Sequence, residues 1–190
     1  MIQVINPRFK TPNNALVVNT TSRSTNWSRG LSPFLLGPVD LYDGYISKNV
    51  ENAWQYAKAY EYYLDDNGNP GEDYFKWAKA GWDSDRAERY PMGRGAIPKY
   101  SYWNGKKLSY VDARMEIYIP LYSEAVQSTK AFLTLKNLYN NLSKDETLYL
   151  WDFDAHSLTP NTFDYWDLWN NVNIKVGHAY VLAMMLEGVI

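Results

Sequence analysis

Cysteine is absent from the 190-residue chain, which excludes a disulfide framework, a thiolate metal site and a cysteine nucleophile. A cysteine-free chain fits a reducing compartment, and a cytoplasmic location is expected. Histidine is scarce: two residues are too few for most imidazole metal sites. No apolar run approaches the ~20 residues that cross a bilayer, so no membrane partner is expected. The longest such stretch, Ala179 to Leu186, is a buried helix at most. Met1 to Pro12 alternates apolar and polar residues and carries Arg8 and Lys10, without the apolar segment of a signal peptide. An excess of one charge sign is also missing. With 19 basic against 21 acidic residues, a broad basic face for duplex DNA is not expected. A pocket for one nucleotide, or a local groove, escapes that count.

Aromatic side chains are abundant: 17 Tyr, 8 Trp and 6 Phe. They fill a core and cover a surface, or some of them form a stacking cleft for a flat ligand, since Tyr and Trp join an apolar face to a polar tip. The length suits one domain over residues 1–190, with a core over about 15–188. No repeat or domain-dividing linker interrupts it.

Local patterns predict an α+β fold, mostly helical, with a small β-sheet. Ala15 to Thr21 is β-branched and reads as a strand, as does Thr147 to Phe153. Asn49 is an N-cap for a helix to about Leu64, where the Asp65 to Gly71 turn cluster stops it. Glu72 to Ala80 and Asp83 to Arg89 read as two helices with Gly81 between them, and Tyr90 to Lys107 as a long loop. Ser109 and Asp112 begin a further helix that Pro120 kinks or divides. Ser123 caps a helix to about Leu142; Asp154 to Asn171 is irregular, and Val172 to Gly188 is a terminal helix.

Three segments carry residues suited to chemistry. In Asn49 to Lys58, helical spacing would put Glu51, Trp54 and Lys58 on one face, so that an acid, an indole and an amine look into one space. An ordinary amphipathic helix with Trp54 in the core explains the same pattern. In Arg89 to Gly95, Gly93 and Gly95 flank Arg94 and let the backbone approach a ligand, while the guanidinium can take a phosphate by two parallel hydrogen bonds. A solvated loop arginine is the plainer reading. The Gly-Lys-Ser/Thr ending of a phosphate-binding P-loop is missing. In Phe163 to Asp167, followed by Asn173 and Gly177-His178, carboxylates and an indole precede the last helix. Asp152 and Asp154 flank a strand end, an arrangement that could bind a metal only with more ligands than are evident. His178, in an apolar helix, reads as a satisfied core histidine.

The order of these segments resembles the NADAR superfamily, named for NAD and ADP-ribose, with its YbiA-like fold. Leu31-Ser32-Pro33-Phe34 matches a Leu-Ser-Asn-Phe-like start, and Glu51 to Lys58 matches a Glu-His-x-x-Gln-x-x-Lys helix. Met92-Gly93-Arg94 with Trp103 downstream follows, then Asp164-Tyr165-Trp166-Asp167, Asn173 and Gly177. The match spans about Val18 to Gly188. Asn52 stands where that family has His, Pro33 replaces Asn, Asp167 replaces Gly, and the Asp65 to Gly71 loop looks inserted.

The resemblance implies cleavage of an N-glycosidic bond to ribose, on ADP-ribosylated guanine or a ribosylamino-pyrimidine. In that role Glu51 would stabilise positive charge on the sugar or activate water. Lys58 would protonate the leaving nitrogen or attack C1′ and form a Schiff base. Arg94 would hold a phosphate or ribose hydroxyl, and Asp164 would orient a ribose hydroxyl or assist water. Trp54, Trp103 and Trp166 would wall the site, with Phe34 and Asn173 as further substrate contacts. No metal or organic cofactor is required. The expected partner is a nucleotide or ADP-ribosylated nucleobase, with nucleic acid only as a local substrate. A bacterial virus is a conceivable source. A binding protein that sequesters such a ligand without turnover, or an interaction protein with no small-ligand site, is the alternative.

Overall fold

A computed structural model describes residues 1–156 and 164–190. The order of elements is β1 (Ile2–Ile5), β2 (Leu16–Asn19), β3 (Val39–Asp40), β4 (Ile46–Ser47), α1 (Val50–Tyr56), β5 (Lys58–Ala59), α2 (Glu72–Trp82), β6 (Tyr100–Trp103) and β7 (Lys106–Leu108). It continues with α3 (Tyr110–Ala113), a π-helical turn (Arg114–Tyr118), α4 (Ile119–Gln127), α5 (Lys130–Asn140), β8 (Leu148–Trp151), α6 (Tyr165–Asn170) and α7 (His178–Glu187). The fold is α+β with small sheets. No described helix is long and apolar enough to cross a membrane. The chain gathers into two compact units, residues 33–121 and the combined segments 1–32 and 122–190.

The unit built from both chain ends has a three-stranded parallel sheet in the order β1-β8-β2. β8 is central: Leu148 and Leu150 on one face are wholly buried, and Tyr149 on the other is buried as well, so both faces are covered. α7 packs against β1 and β8. It is apolar around most of its circumference, with Ala179 to Met184 all buried.

The terminal helix starts at His178, six residues later than the sequence pattern predicts, and the reason is a carboxylate from elsewhere. Gly177 precedes the helix and has no side chain to cap it. Asp152 supplies the cap: its Oδ2 accepts the Ala179 N–H at 3.2 Å. A negative charge there also suits the helix dipole. A Cβ on residue 177 would lie 2.4 Å from that oxygen, so only glycine permits the approach. α6 is a helix within the stretch expected to be irregular; Asp164 caps it by accepting the Trp166 N–H.

The 33–121 unit has two small antiparallel sheets, β3-β4 and β5-β6-β7. Its core is aromatic: Tyr42, Tyr56, Tyr74 and Trp82 pack with Ala59 and Ala78, and Tyr45, Trp77, Tyr102 and Trp103 close around them. Gly81 is not a break between helices. It lies inside α2, where a Cβ would fall 2.1 Å from the Tyr56 ring. Residues 83–99, some of which the sequence pattern assigns to a helix, hold no helix. The expected loop over 90–107 contains a hairpin, β6-β7, turned by Asn104 and Gly105, both at positive φ. That Asn-Gly pair is a strong hairpin signal.

The helix that begins at Asn49 ends at Tyr56, well short of Leu64. The buried Tyr74 hydroxyl reaches the carbonyls of Tyr56 and Ala57, both at 3.2 Å, and satisfies groups a helix end leaves open. The chain then extends as β5, with Lys58 opposite Ser101. Further on, the helical path crosses Pro120 without a break. Proline lacks an N–H and crowds the preceding turn, and the π-helical turn at 114–118 lies immediately before it. Thr129, not Ser123, caps the next helix by accepting the Phe132 N–H.

Candidate functional site

The strongest polar constellation in the 33–121 unit grows from α1. Asn49 caps the helix, its side-chain oxygen accepting the Asn52 N–H at 2.8 Å. The Val50 and Glu51 amides donate to the carbonyls of Leu36 and Pro33, so the 33–36 segment completes the cap. This fixes Glu51 in the first turn, where it is only 5% exposed. Gln55, one turn on and also buried, donates from Nε2 to Glu51 Oε1 at 2.8 Å. Lys58 Nζ donates to Gln55 Oε1 at 2.6 Å. The acid and the amine are thus bridged by the Gln55 amide.

Trp54 lies beside this line. The Lys58 ammonium stands 4.9 Å from the centroid of its ring, a cation–π contact. Tyr118 and Tyr110 flank the indole at 5.3 and 6.2 Å between centroids. Arg114, the first residue of the π-helical turn and nearly fully buried, holds its guanidinium 4.1 Å from the centre of the Tyr110 ring. An acid, two basic groups and three aromatic rings are therefore linked by successive contacts around Trp54. Lys58 meets Trp54 directly and Glu51 through Gln55, but helical spacing does not carry it there: α1 ends at Tyr56, and Lys58 is placed by β5.

Asn52, where a histidine would complete the resemblance, is fully buried and fully used. Its Nδ2 donates to the carbonyls of Gly81, Ser84 and Arg86, and its Oδ1 accepts the Glu88 N–H at 2.8 Å. It ties α1 to the 81–88 segment as a brace. Glu88 in turn accepts the Tyr56 hydroxyl at 3.2 Å. Burial first, then the Glu88 charge, pushes Tyr56 up to about 12.

The other residues singled out from the sequence have different surroundings. Arg94 is exposed, and its guanidinium lies 5.8 Å from the centre of the Tyr90 ring, which Arg89 also approaches. Trp103 belongs to the aromatic core, its ring edge-on to Tyr42 at 4.9 Å. Phe34 is half-buried in the segment that caps α1. Asp164, Trp166 and Asn173 belong to the other unit and are exposed there. Asp164 serves as the α6 cap, and the Asn173 N–H donates to Asn171 Oδ1. Phe163, the first residue of that motif, lies outside the described residues.

His178 is a satisfied core histidine, as its apolar helix suggests. Nδ1 faces Asp152 Oδ2 at 3.0 Å, and Nε2 faces the Thr20 carbonyl at 2.8 Å. Both partners are acceptors, so both ring nitrogens carry hydrogen and the pair is a buried imidazolium and carboxylate. Burial alone would raise the Asp152 pKa; the His178 charge and hydrogen bond, with the Asp154 and Ala179 amides, overcome it and hold the group at about 2. Among the described residues no group of three or more His, Cys, Asp or Glu side chains could hold a metal ion.

Sequence reasoning left four contributors unassigned: Gln55, Tyr110, Arg114 and Tyr118. Gln55 was visible inside the Glu51 to Lys58 segment, at i+4 from the acid. Tyr110 and Arg114 share an i, i+4 spacing, but nothing local brings them to Trp54. No curated protein and no solved structure matches the chain. A family model matches residues 3–162, most of the sequence, and the chain belongs to that family, described as a family of unknown function (DUF6939).

Proposed function

We propose that the protein is an N-glycosidase that hydrolyses the C1′–N bond of a ribosylated base, on a divergent NADAR-like, YbiA-like fold. The observation that carries this reading is the line from buried Glu51 and Gln55 to half-buried Lys58 beside Trp54. Cleaving C1′–N builds positive charge on the sugar, and a carboxylate withdrawn from water stabilises that charge more strongly than an exposed one. Glu51 takes a proton from the attacking water. The water oxygen bonds to C1′ as the C1′–N bond breaks, and the Lys58 ammonium gives its proton to the leaving nitrogen. Trp54, with Tyr110 beside it, offers a face on which a base can stack. The substrate class is a nucleotide or an ADP-ribosylated nucleobase. In this reading the protein works in the cytoplasm.

The test is to incubate the protein with NAD, ADP-ribose, ADP-ribosylated guanosine, oligonucleotides carrying it, and ribosylamino-pyrimidines, and to read products by mass spectrometry. A free base released by the native protein and not by Glu51→Gln supports the reading. Survival of every compound overturns it.

Asn52 favours one alternative. With its amide committed to the 81–88 backbone, that position offers no imidazole for proton transfer, which suits a protein that binds such a ligand without turnover. Thermal stabilisation by one compound of the panel, with no product formed, distinguishes this case.

A further inference from the structure

The Gln55 amide sits between the acid and the amine and touches both. Its orientation is dictated by their charges. The NH2 end meets the carboxylate of Glu51 and the carbonyl end meets the ammonium of Lys58. The reverse orientation would set oxygen against oxygen and hydrogen against hydrogen. Burial of Gln55 and Glu51 strengthens the line, because neighbouring hydrogen bonds polarise one another most where water is excluded.

Two features of Lys58 point the same way. It donates at 2.6 Å to an oxygen that can only accept, and its charge stands over the Trp54 ring. Both stabilise the ammonium and neither stabilises the free amine. Of the charged and titratable groups on α3 and the π-helical turn, Arg114, Tyr110 and Tyr118 reach Trp54 or its flanking ring, Asp112 accepts the Ser109 hydroxyl, and Glu116 pairs with Lys106. Glu88 faces the same helix at Tyr56. An imine with the opened sugar needs an unprotonated Lys58, whereas protonation of a leaving nitrogen needs the ammonium.

We infer that Gln55 is a positioning residue: its amide holds Glu51 as an acceptor and Lys58 as an ammonium donor, and thereby commits the site to direct attack by water without a covalent imine. The mechanistic half rests on the glycosidase reading; the positioning half does not.

The experiment has two arms. In the first, the native protein, Gln55→Leu and Gln55→Glu are assayed on whichever ribosyl compound is cleaved, with and without sodium borohydride, and the protein mass is measured. The native protein is expected to show no reduced adduct. Gln55→Leu should lose roughly 10- to 100-fold in kcat with KM within about twofold. Gln55→Glu keeps an acceptor for Lys58 but sets a second carboxylate against Glu51, so the acid limb of its kcat profile should move to higher pH. A borohydride-trapped adduct on Lys58, or an unchanged kcat in Gln55→Leu, overturns the inference.

The second arm needs no turnover. Nitrogen-15 spectra at neutral pH should show slowly exchanging Lys58 ammonium protons in the native protein, with a coupling to Gln55, and their loss in Gln55→Leu. Absence of that signal from the native protein overturns the positioning role. Its presence together with survival of every ribosyl compound sinks the glycosidase reading and sustains the positioning of Lys58 by Gln55.

Discussion

The two units solve the burial of polar groups in opposite ways. In the unit built from both chain ends, parallel strands and α7, together with the buried rings of Tyr122, Trp169 and Tyr180, enclose a charged pair, Asp152 and His178, whose ring nitrogens and carboxylate oxygens all have partners. In the 33–121 unit an aromatic core carries its own polar tips. Some are satisfied, like the Tyr74 hydroxyl on two carbonyls, while Tyr42 Oη and Trp82 Nε1 are buried without a hydrogen-bond partner. Burial, then the charges of neighbouring tyrosines, pushes the Tyr42 hydroxyl far up, so it stays neutral. A full set of partners makes the first arrangement costly to alter at any single atom. The second tolerates an orphaned group because the ring around it still contributes apolar area and edge-to-face contacts.

Four perturbations break or sharpen that contrast. The largest effect is expected from His178→Leu, which leaves Asp152 as an unpaired buried charge and should cost ~3–5 kcal/mol in chemical denaturation. The aromatic unit should answer most strongly to volume. Gly81→Ala drives a methyl into the Tyr56 ring, and a loss of about 3 kcal/mol is expected in the same measurement. Third is acid. A carboxylate held at about 2 in the folded chain, against 3.8 ordinarily, stabilises fully above about pH 4 and loses that contribution as pH falls toward 2. Roughly 2 kcal/mol should therefore vanish across that window in the native protein. The loss should be much smaller in His178→Leu, where the charge that lowers the group is gone. The smallest effect is Tyr74→Phe, which keeps the ring and removes the hydroxyl from the end of α1. About 1 kcal/mol is expected, with faster amide exchange around Lys58.

Several elements were legible one segment at a time. Asn49 and Ser109 cap helices as their side chains suggest, and the β-branched run before Thr21 is a strand. Other features depended on partners distant in sequence. α1 stops at Tyr56 because Tyr74, eighteen residues on, meets its last carbonyls. α7 waits for Gly177 because Asp152 reaches it from β8. Gly81 looked like a break because glycine weakens helices, yet here it admits a ring. Of the candidate site, the placing of Glu51, Trp54 and Gln55 on one short helix could be read from the sequence. The reach of Gln55 to both charges, and the approach of Tyr110 and Arg114, could not.

The sequence by itself determined the helix cap at Asn49, the one-turn spacing of Glu51 and Gln55, and the aromatic stock from which a core is made. Those properties follow from backbone geometry and side-chain chemistry over a few residues. The tertiary structure alone decided that Lys58 leaves the helix for a strand, that Asn52 becomes a brace, and that His178 carries a charge. Each of these depends on which acceptor lies within about 3 Å, and that is set by chain segments that meet only on folding.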